Sequence, residues 1–306
     1  MKRFQAITFF LVFFFLAAGI SAHIHFQTVP AAEGMSGFTS ELPETPRLDV
    51  PFVPTSEDVV AEMIRMADVR RDDIVYDLGC GDGRILIAAA RITGASGVGV
   101  DIDPQRIKES RENAARARVQ DRVRFYEQNL FDTDIREASV VMLYLLPDVN
   151  IRLRPKLLGE LKPGTRIISH NYHMEPWSAD RVSRVGMHTI YFWIVPADIS
   201  GIWKAEVRIP TASVSCIIRF DQEFQKIKGT LSQGKVVMPM KKADLAGDSL
   251  SFNIERKWER EVIPVHFEGR VRGNSIQGFL TSPAGPWKGK HAWIAVRNPG
   301  SRASLP

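Results

Sequence analysis

One stretch constrains this 306-residue chain more than any other: Ile74-Val75-Tyr76-Asp77-Leu78-Gly79-Cys80-Gly81-Asp82-Gly83-Arg84. Its β-branched and aromatic opening predicts a buried strand that ends at Leu78. Three glycines at alternate positions, Gly79, Gly81 and Gly83, then break the strand, and residues 85–91 form a good helix sequence. A strand, a glycine turn and a helix start make a site where bare backbone can approach a nucleotide-like ligand closely. A second strand over 97–100 ends in Asp101, eighteen residues beyond Gly83, where a carboxylate suits a ribose diol.

The turn reads G-x-G-x-G, with Asp77 just before it and Asp82 inside it. A pyrophosphate needs the helix N-terminus clear of negative charge, so two acids there disfavour a dinucleotide. An ammonium and a sulfonium suit them, and S-adenosylmethionine carries both without any phosphate. The constellation resembles the class I methyltransferases, which implies a Rossmann-like, doubly wound, seven-stranded α/β domain.

The N-terminus, Met1-Lys2-Arg3 followed by an uncharged run over 6–20, reads as an export signal or a membrane anchor. Ile20-Ser21-Ala22 suits cleavage, whereas the uncharged run reaches about residue 26 if His23 and His25 are neutral, nearly a full span. Both readings keep Lys2 and Arg3 cytoplasmic and put the folded part outside, on the periplasmic side of an inner membrane. Cofactor supply there is unexplained. Residues 27–49 lack periodicity and read as a linker. A formal charge of +5 over this length suits ordinary solvated surface and does not call for nucleic acid. The two cysteines, Cys80 and Cys216, make no CxxC pair, so neither a disulfide nor a metal site is expected.

From residue 50 the pattern alternates. Pro51 and Pro54 hold an extended lead-in, Thr55 is expected to cap a helix with Asp58 completing a capping box, and that helix buries Val59, Val60, Met63 and Ile64. Helices over 105–118 and 150–161 alternate with strands over 123–126, 139–146, 165–170 and 190–195. Short loops between them predict a doubly wound sheet binding ligands at its strand C-termini, over 50–198. Beyond it, 199–298 changes to short alternating strands with turns at Gly234, Gly247-Asp248 and Gly273-Asn274. Roughly eight strands fit, which suggests a small antiparallel β-barrel. Gly201-Ile202-Trp203 resembles the opening of lipocalin-type barrels, and 299–306 is a tail.

Pro51-Phe52-Val53-Pro54-Thr55-Ser56, the string from Asp77 to Ile85, and Leu145-Leu146-Pro147 together resemble one branch of the class I methyltransferases. That branch contains lysine methyltransferases acting on the mitochondrial ADP/ATP carrier and on the ATP synthase c-subunit, with bacterial relatives. The resemblance spans about residues 50–175. It implies cofactor contacts for Asp77, Gly79, Gly81, Gly83, Asp101, Ile102, Asn129 and Leu130, with Asn129 standing where the family usually has an acid. It makes protein lysine a candidate acceptor and membrane association a shared theme.

Tyr144, at the end of the fourth strand, is the first candidate for the catalytic channel, and Phe52 is next. Desolvation, or a nearby carboxylate and tyrosine, is expected to help an amine lose its proton. His170 and His173 follow the fifth strand and lie within reach of the pocket, as base or as structure. A small-molecule N- or O-methyltransferase remains an alternative, and so does a non-catalytic binding protein that keeps the cofactor fold.

Overall fold

The computed structural model describes residues 52–302. The expected export signal or anchor, the linker and Pro51 lie outside the described residues, as do the last four residues of the tail. Helix α1 (Glu57–Met66) starts at Ser56 and not at Thr55. Asp58 accepts from Ser56 Oγ and from the Val59 N–H at 2.9 Å, so the expected capping box does not form. Thr55 is thereby released for a contact described below. The face of α1 carrying Val59, Val60, Met63 and Ile64 packs on the first sheet.

That sheet contains β1 (Ile74–Leu78), β2 (Ser96–Asp101), β3 (Val123–Glu127), β4 (Val140–Leu143), β5 (Arg166–His170), β6 (Arg181–Val185) and β7 (His188–Ile194). Helices α2 (Arg84–Thr93), α3 (Pro104–Arg116) and α4 (Pro147–Glu160) cover its two faces. The strand order is β3-β2-β1-β4-β5-β7-β6, parallel from β3 to β5 and antiparallel at β7 and β6. β4 is buried at every position, as a central parallel strand must be. The chain works outward from β1 to β3 and then returns to β4, so the order reverses at β1. A crevice opens at that switch point, beyond the carboxyl ends of β1 and β4.

The remaining strands, β8 (Gly201–Ile209), β9 (Ala212–Glu223), β10 (Lys226–Gln233), β11 (Val236–Pro239), β12 (Lys241–Ala246), β13 (Ser249–Trp258), β14 (Glu261–Arg272), β15 (Ser275–Ser282) and β16 (Gly289–Arg297), form a second, antiparallel sheet. Alternate residues such as Trp203, Phe220, Phe252, Phe267 and Trp293 turn inward to one core. The expected closed barrel is not formed. β16 returns to pair with β8, but β11 and β12 are the two edges and no ladder joins them. Only Met240 separates these strands, so a nearly continuous segment leaves β10 and takes up β13. Pro239 offers no N–H at the crossing, and a register shift between Lys241 and Asp244, with Lys242 at φ 48°, bends the edge away.

The two ends of this sheet are clasped. Arg297, its guanidinium 4.6 Å from the centre of the Trp203 ring, donates to the Ser200 carbonyl at 2.7 Å and pairs with Asp198. Ser301 Oγ accepts the Ile202 N–H at 3.0 Å. The sheet also meets the α/β domain at a defined seam. Phe224, in the turn after β9, stacks on the buried Trp177 with ring centres 5.8 Å apart, and Gln225 Nε2 donates to the Ser178 carbonyl at 2.7 Å.

Candidate active site

The crevice at the switch point is a cleft walled by the segment 52–55, the glycine turn, the ends of β2 and β4, and the loop after β3. The glycine turn takes its shape from backbone bonds. The Gly79 and Cys80 N–H groups both donate to the Val100 carbonyl at 2.9 Å, tying the end of β1 to β2. Gly81 has φ +52°, and a Cβ there would lie 2.5 Å from the Phe52 ring, so only glycine allows Phe52 to rest on the turn.

Asp101 fixes the far side. Its Oδ2 accepts the Gly81 N–H at 2.8 Å and its Oδ1 accepts the Asp103 N–H at 3.0 Å. Each oxygen keeps a further lone pair toward the cleft. Ile102, 37% exposed, and Leu130 supply apolar contact on either side of the adjoining space. Asn129 also lines the cleft, though its Oδ1 already accepts the Phe131 N–H at 2.9 Å. Phe52 carries the Arg106 guanidinium over its ring at 4.6 Å.

Asp77 stands behind this wall, 1% exposed, and its Oδ2 has no hydrogen-bond partner. Burial, and then the negative charges of Asp101 and Asp82, push its carboxyl up to about 8. A buried carboxylate oxygen without a partner awaits a donor or a cation. Asp77, Asp101 and the apolar pair Ile102 and Leu130 would suit, in this order, an α-ammonium, a ribose diol and an adenine ring, so the residues present fit S-adenosylmethionine. Gly83 stands at the start of α2. It does not line the cleft, and a Cβ there would meet the Phe125 ring at 2.7 Å and Ser110 at 2.9 Å. Its role is to let α2 and α3 close over β3.

Two side chains that the sequence did not single out complete the wall. Arg84 pairs with Asp82 at 2.6 Å and donates to the Thr55 carbonyl at 3.0 Å, pinning the lead-in to the glycine turn. Cys80 is a free, buried thiol; burial, then Asp77 and Asp101, push it well up, so it is no thiolate nucleophile at neutral pH.

At the β4 end, Tyr144 lines the cleft and lies against His170, ring centres 3.8 Å apart. Burial raises its phenol, followed by Tyr172, with a hydrogen bond from Asn171 opposing them. A neutral phenol there suits a wall of the channel. His170 is 1% exposed; Thr55 Oγ1 lies 3.3 Å from its Nδ1, and His188 Nδ1 lies 2.9 Å from its Nε2. His173 points elsewhere, toward Glu175 at 3.8 Å and the Tyr191 ring. Among the described residues no cluster of His, Cys, Asp and Glu is arranged to hold a metal.

Residues 77–181 match the family described as the ANTKMT methyltransferase domain. A protein-lysine N-methyltransferase of Saccharolobus islandicus is 46% identical over 151 residues, which are 48% of this chain and 94% of that protein. The ATP synthase C-subunit lysine N-methyltransferase of Mus musculus is 33% identical over 155 residues, 51% of this chain and 62% of that protein. Among solved structures, an RNA methyltransferase from Salinibacter ruber in complex with S-adenosyl-L-homocysteine is 50% identical, with a TM-score of 0.48, covering 48% of this chain and 96% of that one. None of these alignments spans much more than half of the chain. The chain belongs to the S-adenosylmethionine-dependent methyltransferases, in the family that includes the lysine N-methyltransferases of the ATP synthase C-subunit and of the adenine nucleotide translocase.

Proposed function

We propose that this enzyme methylates the ε-amine of a lysine in a protein, and that the amine enters the cleft beside Tyr144 and Thr55. The observation that carries the acceptor class is the 46% identity to a protein-lysine N-methyltransferase over 94% of its length. The cofactor supplies a methyl group already activated on a sulfonium, so the protein's task is proximity, alignment and exclusion of water. In this reading Asp77 holds the ammonium end and Asp101 the ribose. Ile102 and Leu130 sandwich the base, and the remaining lone pair of Asn129 Oδ1 faces its amino group. Phe52, held on Gly81, roofs that end, while Tyr144 and Leu145 form the apolar channel that orients the acceptor.

The uncharged run over 6–20 supports export of the folded part, and a periplasm-dependent reporter fused after residue 50 tests that point. For the reaction, purified enzyme and methyl-labelled S-adenosylmethionine are incubated with separate protein and RNA fractions of a cell extract. Label recovered as methyl-lysine after protein hydrolysis is the expected result. Label confined to RNA or to small molecules, with none in lysine, overturns the acceptor assignment.

A further inference from the structure

A lysine acceptor arrives as an ammonium and has to lose a proton before it can attack. The carboxylates that line the cleft are already engaged: Asp82 by Arg84, Asp101 by two backbone N–H groups, and Asp103 by the Gln105 N–H at the cap of α3. Tyr144 is a neutral phenol. Thr55 lines the cleft, however, and behind it stands a line of hydrogen-bonding groups that leads away from the site.

We propose that Thr55, His170 and His188 form a proton relay that carries the acceptor's proton from the cleft to solvent. The inference rests on the amine-acceptor reading above. The geometry runs in one direction. Thr55 Oγ1 meets His170 Nδ1 at 3.3 Å, and His170 Nε2 meets His188 Nδ1 at 2.9 Å. His188 is half-buried at the start of β7, so its Nε2 is the end nearer solvent. With both rings as Nε2–H tautomers, every link has one donor and one acceptor. The acceptor N–H⁺ bond breaks as Thr55 Oγ1 takes the proton. The Thr55 hydroxyl proton passes to His170 Nδ1, the His170 Nε2 proton to His188 Nδ1, and the His188 Nε2 proton to water. After product leaves, the cleft is open to water and the same shifts in reverse restore the tautomers, with water giving and taking the proton.

The surroundings keep the inner ring suited to passing a proton and unsuited to storing one. Burial, then His188, hold His170 down to about 4, so it stays neutral at working pH. The groups facing this pair are Tyr144 from the end of β4, Asn171 and Tyr172 after β5, and Asp58 from α1, whose carboxylate senses His188. Asn171 Nδ2 lies 3.3 Å from His188 Nδ1 and fixes that ring edge-on to His170. Neither histidine touches the acceptor; both act through Thr55 and are positioning residues.

The test uses the full chain with poly-L-lysine as the acceptor probe. His188→Ala is expected to lower kcat about 10- to 100-fold, to leave the S-adenosylmethionine dissociation constant unchanged by calorimetry, and to recover rate in proportion to added imidazole. Thr55→Val, which keeps shape and removes the hydroxyl, is expected to lose rate without imidazole rescue. A second measurement needs no variant: nitrogen-15 spectra of the wild-type histidines should show His170 neutral at pH 6 with its proton on Nε2. Wild-type rate in His188→Ala, a loss that imidazole does not restore, or a His170 proton on Nδ1 each overturn the relay. A wild type that binds cofactor and transfers nothing to poly-L-lysine or to lysine in the protein fraction of a cell extract sinks the amine-acceptor reading and the relay with it.

Discussion

Replacing Asp77 with asparagine isolates the most unusual charge in the protein. The carboxyl is fully enclosed, its Oδ2 lacks a partner, and its folded value of about 8 stands against 3.8 for an ordinary aspartate. At pH 7 the free enzyme therefore holds this proton in about nine molecules of ten. Pairing with the cofactor's ammonium favours the ionised form, so binding at pH 7 releases about 0.9 proton. Affinity should rise about 10-fold from pH 6 to pH 7, and level off near pH 8 as the carboxyl ionises unaided. Stability has the opposite sign. The folded chain binds a proton that the unfolded chain has lost, so stability falls as pH rises from about 4 to 8. Between pH 6 and 8 the loss is about 2 kcal/mol in the unliganded protein, an upper bound since relaxation and water entry soften burial. Calorimetric titrations in buffers of different ionisation enthalpy count the proton, and urea unfolding at each pH reads the stability. Asp77→Asn should abolish both slopes and weaken cofactor binding by about 100-fold or more. A wild-type affinity flat between pH 6 and 7.5, with no proton released, would show Asp77 already ionised and refute the reasoning.

Other outcomes follow from the same geometry. Gly81→Ala must place a Cβ at φ +52° against the Phe52 ring, so cofactor affinity measured by calorimetry should fall while the melting temperature drops by an amount equivalent to about 1–2 kcal/mol. Asp101→Ala frees the Gly81 and Asp103 N–H groups together, and should cost about 1–3 kcal/mol in unliganded stability as well as ribose binding, read by urea unfolding and calorimetry. Phe224→Ala removes the ring stacked on Trp177, and should destabilise the α/β domain by about 3–5 kcal/mol, with a matching change in tryptophan fluorescence, even though Phe224 belongs to the turn after β9.

The sheet, its switch point and the glycine turn were legible because period-two and helical patterns depend on neighbours a few residues apart. The places of Asp77 and Asp101 in the fold were legible for a related reason: one stands next to the end of β1 and the other ends β2. Contacts that depend on register across the sheet were not. His188 reaches His170 because β7 runs antiparallel to β5, pairing His170 with Ile190, and no local pattern announces that turn-back. Thr55 was misassigned because Ser56, its neighbour, serves equally well as the helix start, and only the fold reveals which hydroxyl faces His170. Gly83 has the φ of a ligand-facing glycine, +79°, yet the space it leaves is filled by Phe125 and Ser110. The second sheet's missing closure was equally hidden, since the break between β11 and β12 at Met240 leaves their alternation intact.

The clasp between Arg297, Ser301 and residues 198–202 has a consequence for how such a chain can be assembled. Gly201, at φ +111°, leaves room for the Ser301 carbonyl, where a Cβ would approach to 2.4 Å. The second sheet thus begins and finishes at the same spot, like a ring on a key. Its first and last strands are neighbours that hold each other directly, so a break in an exposed turn such as that at Gly234 need not part them.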